Sequence, residues 1–188
     1  MKKLLLIITI FIVLQACSSK TNYNSSKIID AKAFNCEKMD VVSGSETVII
    51  KAKDLKECII KDNKKIVWLY FYYQNCPTQD INVQINQKKI FEKYKDKIDY
   101  IMVSETFDIK EVKKTEQAIN HPIVFIDPSY DEKRIQNSKQ FLTEVLLENT
   151  TSEALNHTNI FIYEGKVIGS AFTTDISNEF VEQLISKL

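Results

Sequence analysis

Residues 66–73 read Ile-Val-Trp-Leu-Tyr-Phe-Tyr-Tyr, an unbroken apolar and aromatic run with no charge in it. A run this short, rich in β-branched and aromatic side chains, suits a strand. A helix needs roughly 10–12 residues and a membrane span roughly 20. Successive side chains on a strand point to opposite faces, so this one must be covered on both. That requirement selects a sheet held between helices, an α/β architecture.

The rest of the chain supplies such elements. Residues 48–51 suggest a short strand, and residues 54–60 a short helix with Asp54 as its N-cap. After the 66–73 strand the chain reads Gln74-Asn75-Cys76-Pro77. Pro77 suits the first position of a helix, where its missing N–H costs nothing. That helix is expected to run to about Tyr94, with Ile81, Ile85, Ile90, Phe91 and Tyr94 in partial apolar periodicity. Residues 99–104 and 123–126 read as further buried strands, separated by an amphipathic helix over 108–119. Residues 134–148 read as another helix. Residues 159–163 and 166–171 flank Glu164-Gly165 and read as a β-hairpin. Ser177 caps a last helix carrying Phe180, Val181, Leu184 and Ile185.

A chain of 188 residues fits one ordinary domain. Its 25 basic residues balance 25 acidic ones, which leaves no electrostatic drive toward nucleic acid, and no nucleic-acid partner is expected.

Lys2 and Lys3 precede an apolar run over residues 4–14, too short to cross a bilayer. The run ends in Leu14-Gln15-Ala16-Cys17, which resembles a bacterial lipobox. The resemblance implies a signal peptide over 1–16, cleavage before Cys17, and acylation of that cysteine by palmitate and other chains. Several acyl chains would hold the protein on a membrane, since one alone binds marginally. Ser18, Ser19 and Lys20 follow, without an Asp. By analogy with Gram-negative lipoproteins this implies a cell-envelope location, anchored in the outer membrane and facing the periplasm. Residues 17–45 then form a lipid-anchored tether and N-terminal extension, and 46–188 the folded domain.

With Cys17 assigned to lipid, Cys36, Cys58 and Cys76 remain, an odd number in a disulfide-permissive compartment. A strand of eight residues spans ~25 Å, which separates Cys58 from Cys76. Of the pairings left, Cys36 with Cys58 is the favoured structural disulfide, one that would pin the N-terminal segment to the domain. The other reading of that pair is two reduced, buried thiols. The histidines are His121 and His157, and no Cys or His spacing suits a metal. No metal or other cofactor is expected.

Three stretches, "IVWLYFYYQNCPTQ", "NHTNIFIYEGKVIG" and "HPIVFIDP", together with the element order, resemble the thioredoxin fold over roughly residues 46–188. The resemblance implies a central mixed β-sheet flanked by helices, with an N-terminal extension. It also implies an inserted strand and helix, as in membrane-tethered thiol–disulfide oxidoreductases and peroxiredoxins. Cys76 would be the candidate catalytic residue. A cysteine at a helix N-terminus faces unpaired N–H groups and the positive end of the helix dipole, and both favour thiolate. His157 would face it from the loop before the hairpin.

The pattern is incomplete. Gln79 stands where thioredoxins carry their second cysteine, and Tyr70 where they keep a buried acid. The family's cis-proline place falls at His157 or Asn159. "CPTQ" is also similar to the peroxiredoxin "CPTE", but Leu69, Tyr73 and Thr158 occupy that family's Pro, Thr/Ser and Arg positions. Two readings follow. One is a binding or assembly protein of the cell envelope that uses the fold's client groove without turnover. The other is a monothiol thiol–disulfide oxidoreductase acting through Cys76 on a protein client or thiol partner. A peroxidase is a weaker form of the second.

Overall fold

The computed structural model describes residues 32–35, 47–61, 64–73, 80–129, 134–145 and 151–188. In chain order the elements are β1 (Lys32–Ala33), β2 (Val48–Ile50), α1 (Ala52–Lys61), β3 (Ile66–Tyr72), α2 (Ile81–Tyr94) and β4 (Ile98–Ser104). They continue with α3 (Ile109–Ile119), β5 (Ile123–Ile126), α4 (Arg134–Val145), β6 (Asn159–Tyr163), β7 (Lys166–Ala171) and α5 (Asn178–Ile185). The strands form one mixed sheet in the order β1-β2-β5-β4-β3-β6-β7. The first five in that order run parallel, and β6 and β7 join as an antiparallel hairpin.

The uncharged 66–73 run becomes β3, an interior strand buried along its whole length. Its register pairs Ile66–Tyr72 with Ile98–Ser104 of β4 on one side and Val67–Tyr70 with β6 on the other. Val67, Leu69 and Phe71 enter a core with Leu55 and Ile59 of α1 and Phe141, Leu142 and Val145 of α4. Trp68, Tyr70 and Tyr72 enter a second core with residues of α2, α3 and α5. The sheet is thus covered by helices on both faces, as the run demands.

The hairpin turn has positive φ at both central residues, 48° at Glu164 and 73° at Gly165. This is the backbone twist that lets two strands return with the right hand. Asp108 caps α3 and Ser177 caps α5, each accepting a backbone N–H of its own first turn.

Two helix starts differ from the sequence expectation by more than one residue. Asp54 is not the N-cap of α1: the helix begins at Ala52, and Asp54 Oδ2 reaches back to accept from Lys51 N at 3.2 Å. The helix expected from Pro77 begins at Ile81 instead, with Asp80 as its N-cap and Oδ1 accepting from Asn82 N at 2.6 Å. A carboxylate cap outcompetes the weaker signal of a proline at the first position. Within the stretch assigned to the N-terminal extension lies a short strand. Lys32 and Ala33 pair with Val48 and Ile49, and Phe34 is buried in the α1/α4 core.

Candidate functional site

The parallel strands of an α/β sheet place their ligands at their C-terminal ends. At that end of β3 the neighbouring chain is the approach to β6, and Phe71 N donates to Thr158 O at 2.8 Å. The loop carrying His157 and Thr158 therefore runs directly beside the end of β3. Cys76 follows three residues after Tyr73, and residues 74–79 lie outside the described residues. Cys17, the expected lipidation site, and Cys36 lie outside them too.

His157 is half-buried and committed to the hairpin side. Its Nδ1 shares a 2.8 Å hydrogen bond with Ser170 Oγ of β7, and its ring meets Phe172 edge-on, centroids 4.6 Å apart. Its backbone N–H closes the 3₁₀ turn Ala154–Asn156 on Ala154 O. This His is a structural corner of the loop as well as a neighbour of the β3 terminus.

The described start of α2 carries its own cap. The unpaired N–H groups and the positive dipole end of this helix face the Asp80 carboxylate, which already satisfies Asn82 N.

Tyr70, in place of a buried acid, is fully buried and accepts from Gln84 Nε2 at 2.9 Å. Burial pushes its phenol far above the usual range. It stays neutral and supplies no base. Thr158, in the place of a peroxidase arginine, is held by a 2.8 Å hydroxyl contact to Thr173.

A polar network that sequence reasoning did not foresee underlies this corner. Asn159 is fully buried. Its Oδ1 accepts from Trp68 Nε1 at 2.8 Å and from Gln87 Nε2 at 3.3 Å. Its Nδ2 donates to Thr158 Oγ1 at 3.1 Å, and reaches Thr173 Oγ1 and Ala171 O at 3.4 and 3.5 Å. One amide thus ties β3, α2, the 157–158 loop and the turn after β7 together. A polar residue heading an apolar β6 was the available signal, because a buried amide in that position must find partners.

On the other side of the β3 terminus Glu105 is buried. It accepts from Ser138 Oγ of α4 at 2.5 Å, while its backbone N–H donates to Tyr72 O at 2.9 Å. The large apolar side chains left exposed among the described residues are Ile81, Phe172 and Leu188. Ile81 opens α2, one turn before Gln84. Phe172 precedes Thr173, whose hydroxyl lies beside Tyr70. Two of the three therefore belong to segments bonded to Tyr70, near the end of β3.

Cys58, on α1, is buried and disulfide-bonded, and its partner lies outside the described residues. Its sulfur lies 3.1 Å from Asp54 O, a contact and not a donated bond, because a half-cystine carries no proton. Among the described residues no group of His, Cys, Asp or Glu is arranged to hold a metal ion. No helix among them is long and apolar enough to cross a membrane. No protein-family model, curated protein or solved structure matches the chain.

Proposed function

We propose that the chain is a lipid-anchored, thioredoxin-like protein of the bacterial envelope that binds an extended polypeptide at the C-terminal end of β3, without turnover. The fold reading is supported by the layout of the sheet. A β2-α1-β3-α2-β4 parallel unit is followed by the antiparallel β6–β7 hairpin and α5, with α3 and β5 as the inserted pair. The membrane reading is supported by the Leu14–Cys17 lipobox and the polar stretch after it.

The observation that carries the binding reading is the pair of exposed apolar side chains, Ile81 and Phe172, on segments tied to Tyr70. An apolar pair beside a strand terminus suits the side chains of an extended segment. The Asp80 cap works against redox use, because the α2 dipole already serves a carboxylate. The oxidoreductase reading keeps one support, the position of Cys76 between the β3 terminus and Pro77.

The test is binding of a permanently unfolded, carboxymethylated polypeptide to the protein released from its anchor. Phe172→Ser and Ile81→Ser should each weaken it about tenfold, and Cys76→Ser should leave it unchanged. Unchanged binding in Phe172→Ser overturns the binding reading. If binding is lost in Cys76→Ser, and the native thiol alkylates faster than a model thiol at neutral pH, the monothiol oxidoreductase takes its place. The anchor is tested apart from this. Labelled palmitate should enter the wild type and not Cys17→Ala.

A further inference from the structure

At the opposite end of the sheet from the β3 terminus, a cleft of about 430 Å³ opens between α2, the end of α3 and the starts of β3 and β4. That volume is within the range of small-molecule sites. Its wall is a ring cluster. Tyr100 stacks on Phe91 with centroids 5.3 Å apart, and His121 meets Tyr100 at 5.0 Å and Phe91 at 5.9 Å. Its rim carries three ammonium groups, Lys65, Lys88 and Lys95, and three carboxylates, Glu92, Asp96 and Asp99.

The rim charges are largely matched among themselves. Lys65 pairs with Asp99 at 3.0 Å and Lys95 with Glu92 at 3.8 Å. Lys95 stands exposed at the outer edge with no hydrogen bond among the described residues, and two groups further in keep capacity. Lys88, largely buried, donates to Asn120 O at 2.9 Å and meets Glu92 at 3.2 Å, two acceptors for three N–H bonds. The Asp96 carboxylate makes no ion pair or hydrogen bond within the described residues. The cleft therefore offers one largely buried cationic donor, Lys88, one carboxylate without a partner among the described residues, Asp96, and an aromatic wall, with as many ammonium groups as carboxylates on its rim. A lone anion would meet the three carboxylates, and a lone cation the three ammonium groups. A compact molecule carrying both charges satisfies Lys88 and Asp96 together.

We propose that this cleft binds a small zwitterion, an α-amino acid or short peptide with an apolar side chain. Its carboxylate meets Lys88, its ammonium meets Asp96, and its side chain lies on the Phe91–Tyr100–His121 wall. The proposal stands independently of the polypeptide-binding reading, since the two sites share no residue.

Calorimetric titration of the whole processed protein provides the test. The probes are phenylalanine, phenylalanine amide without the carboxylate, phenylpropionate without the ammonium, and the dipeptide Gly-Phe. Phenylalanine or Gly-Phe should bind saturably below roughly 10 mM, and whichever binds more tightly identifies the source as free amino acid or peptide. The two single-charge analogues should bind at least about tenfold more weakly. Lys88→Met and Asp96→Asn should each cost about tenfold. Asp96 is exposed and unpaired, so Asp96→Asn keeps the fold intact and keeps the test decisive even where Lys88→Met disturbs the end of α3. Phenylpropionate or the amide binding as tightly as the zwitterions overturns the proposal, as does the absence of saturable heat with both zwitterions.

Discussion

The two faces of the sheet solve the same burial problem with different chemistry. Toward α1 and α4 the strands present Val67, Leu69, Phe71, Ile101, Val103, Val124, Ile126, Ile160 and Ile162, side chains with no hydrogen-bonding demand. Toward α2, α3 and α5 they present Trp68, Tyr70, Tyr72, Tyr100 and Asn159, which carry polar atoms into the interior. There Gln84 and Gln87 of α2 are buried to meet them. The first face is specified by volume. The second is specified by volume and by hydrogen-bond partners in fixed places, so it also sets the corner at the end of β3.

The comparison can be broken by substitution. On the aliphatic face, Leu69→Ala should cost about 3 kcal/mol in urea unfolding, and Leu69→Met less than about 1 kcal/mol. A small loss in Leu69→Ala would show that this face is not tightly filled. On the polar face a swap that keeps volume should not be tolerated. Asn159→Leu should cost about 2 kcal/mol, because Trp68 Nε1 and Gln87 Nε2 both lose their shared acceptor. If it proves as mild as Leu69→Met, the contrast between the faces fails.

Tyr70→Phe probes one bond of the network and should cost about 1 kcal/mol, since Gln84 Nε2 loses its acceptor. It also has a pH signature. Burial raises the Tyr70 and Tyr100 phenols above their ordinary value of 10.0. The folded state favours their neutral forms, so this stability is fully present below pH 10 and is lost as pH rises beyond it. Alkaline unfolding followed by phenolate absorbance should begin later in Tyr70→Phe. An unchanged profile would sink that assignment.

The smallest effect belongs to the surface link between the helices of the polar face. Glu182 of α5 accepts from Tyr94 at 2.5 Å and from Lys93 at 3.1 Å, both on α2. The bonds to Tyr94 and Lys93 hold its carboxyl below the ordinary 4.5. The folded state favours the charged form, so this contribution is present above pH 4.5 and is lost as pH falls below it. Glu182→Gln should flatten the acid limb of a stability–pH curve slightly, and added salt should shrink the difference. An equal slope in both proteins would show the link to be without effect.

Much of the fold was legible because its causes are local. An uncharged run of strand length had to be buried on both faces, and β3 is. Glu164-Gly165 between two apolar runs had to be a hairpin turn, and both residues take positive φ. Ser177 announced α5 by the same capping chemistry seen in the structure. Where two local signals competed, the stronger bond decided: Asp80 and not Pro77 opens α2. The candidate site was legible only as a place, the junction of the β3 terminus with the approach to β6.

The chain by itself determined which segments are strands and helices and which strand lies deepest, since periodicity and capping act over a few residues. Tertiary structure decided what those segments meet. Trp68 and Asn159 are 91 residues apart in sequence, yet share one hydrogen bond in the interior. Lys32 and Ala33 become a strand only because the edge of β2 is there to pair with. The cleft beside His121 exists because α2, α3 and two strand ends converge on it. A buried polar atom or an unpaired strand edge must be satisfied somewhere. Which distant residue satisfies it is set by chain packing, where local sequence preference has no reach.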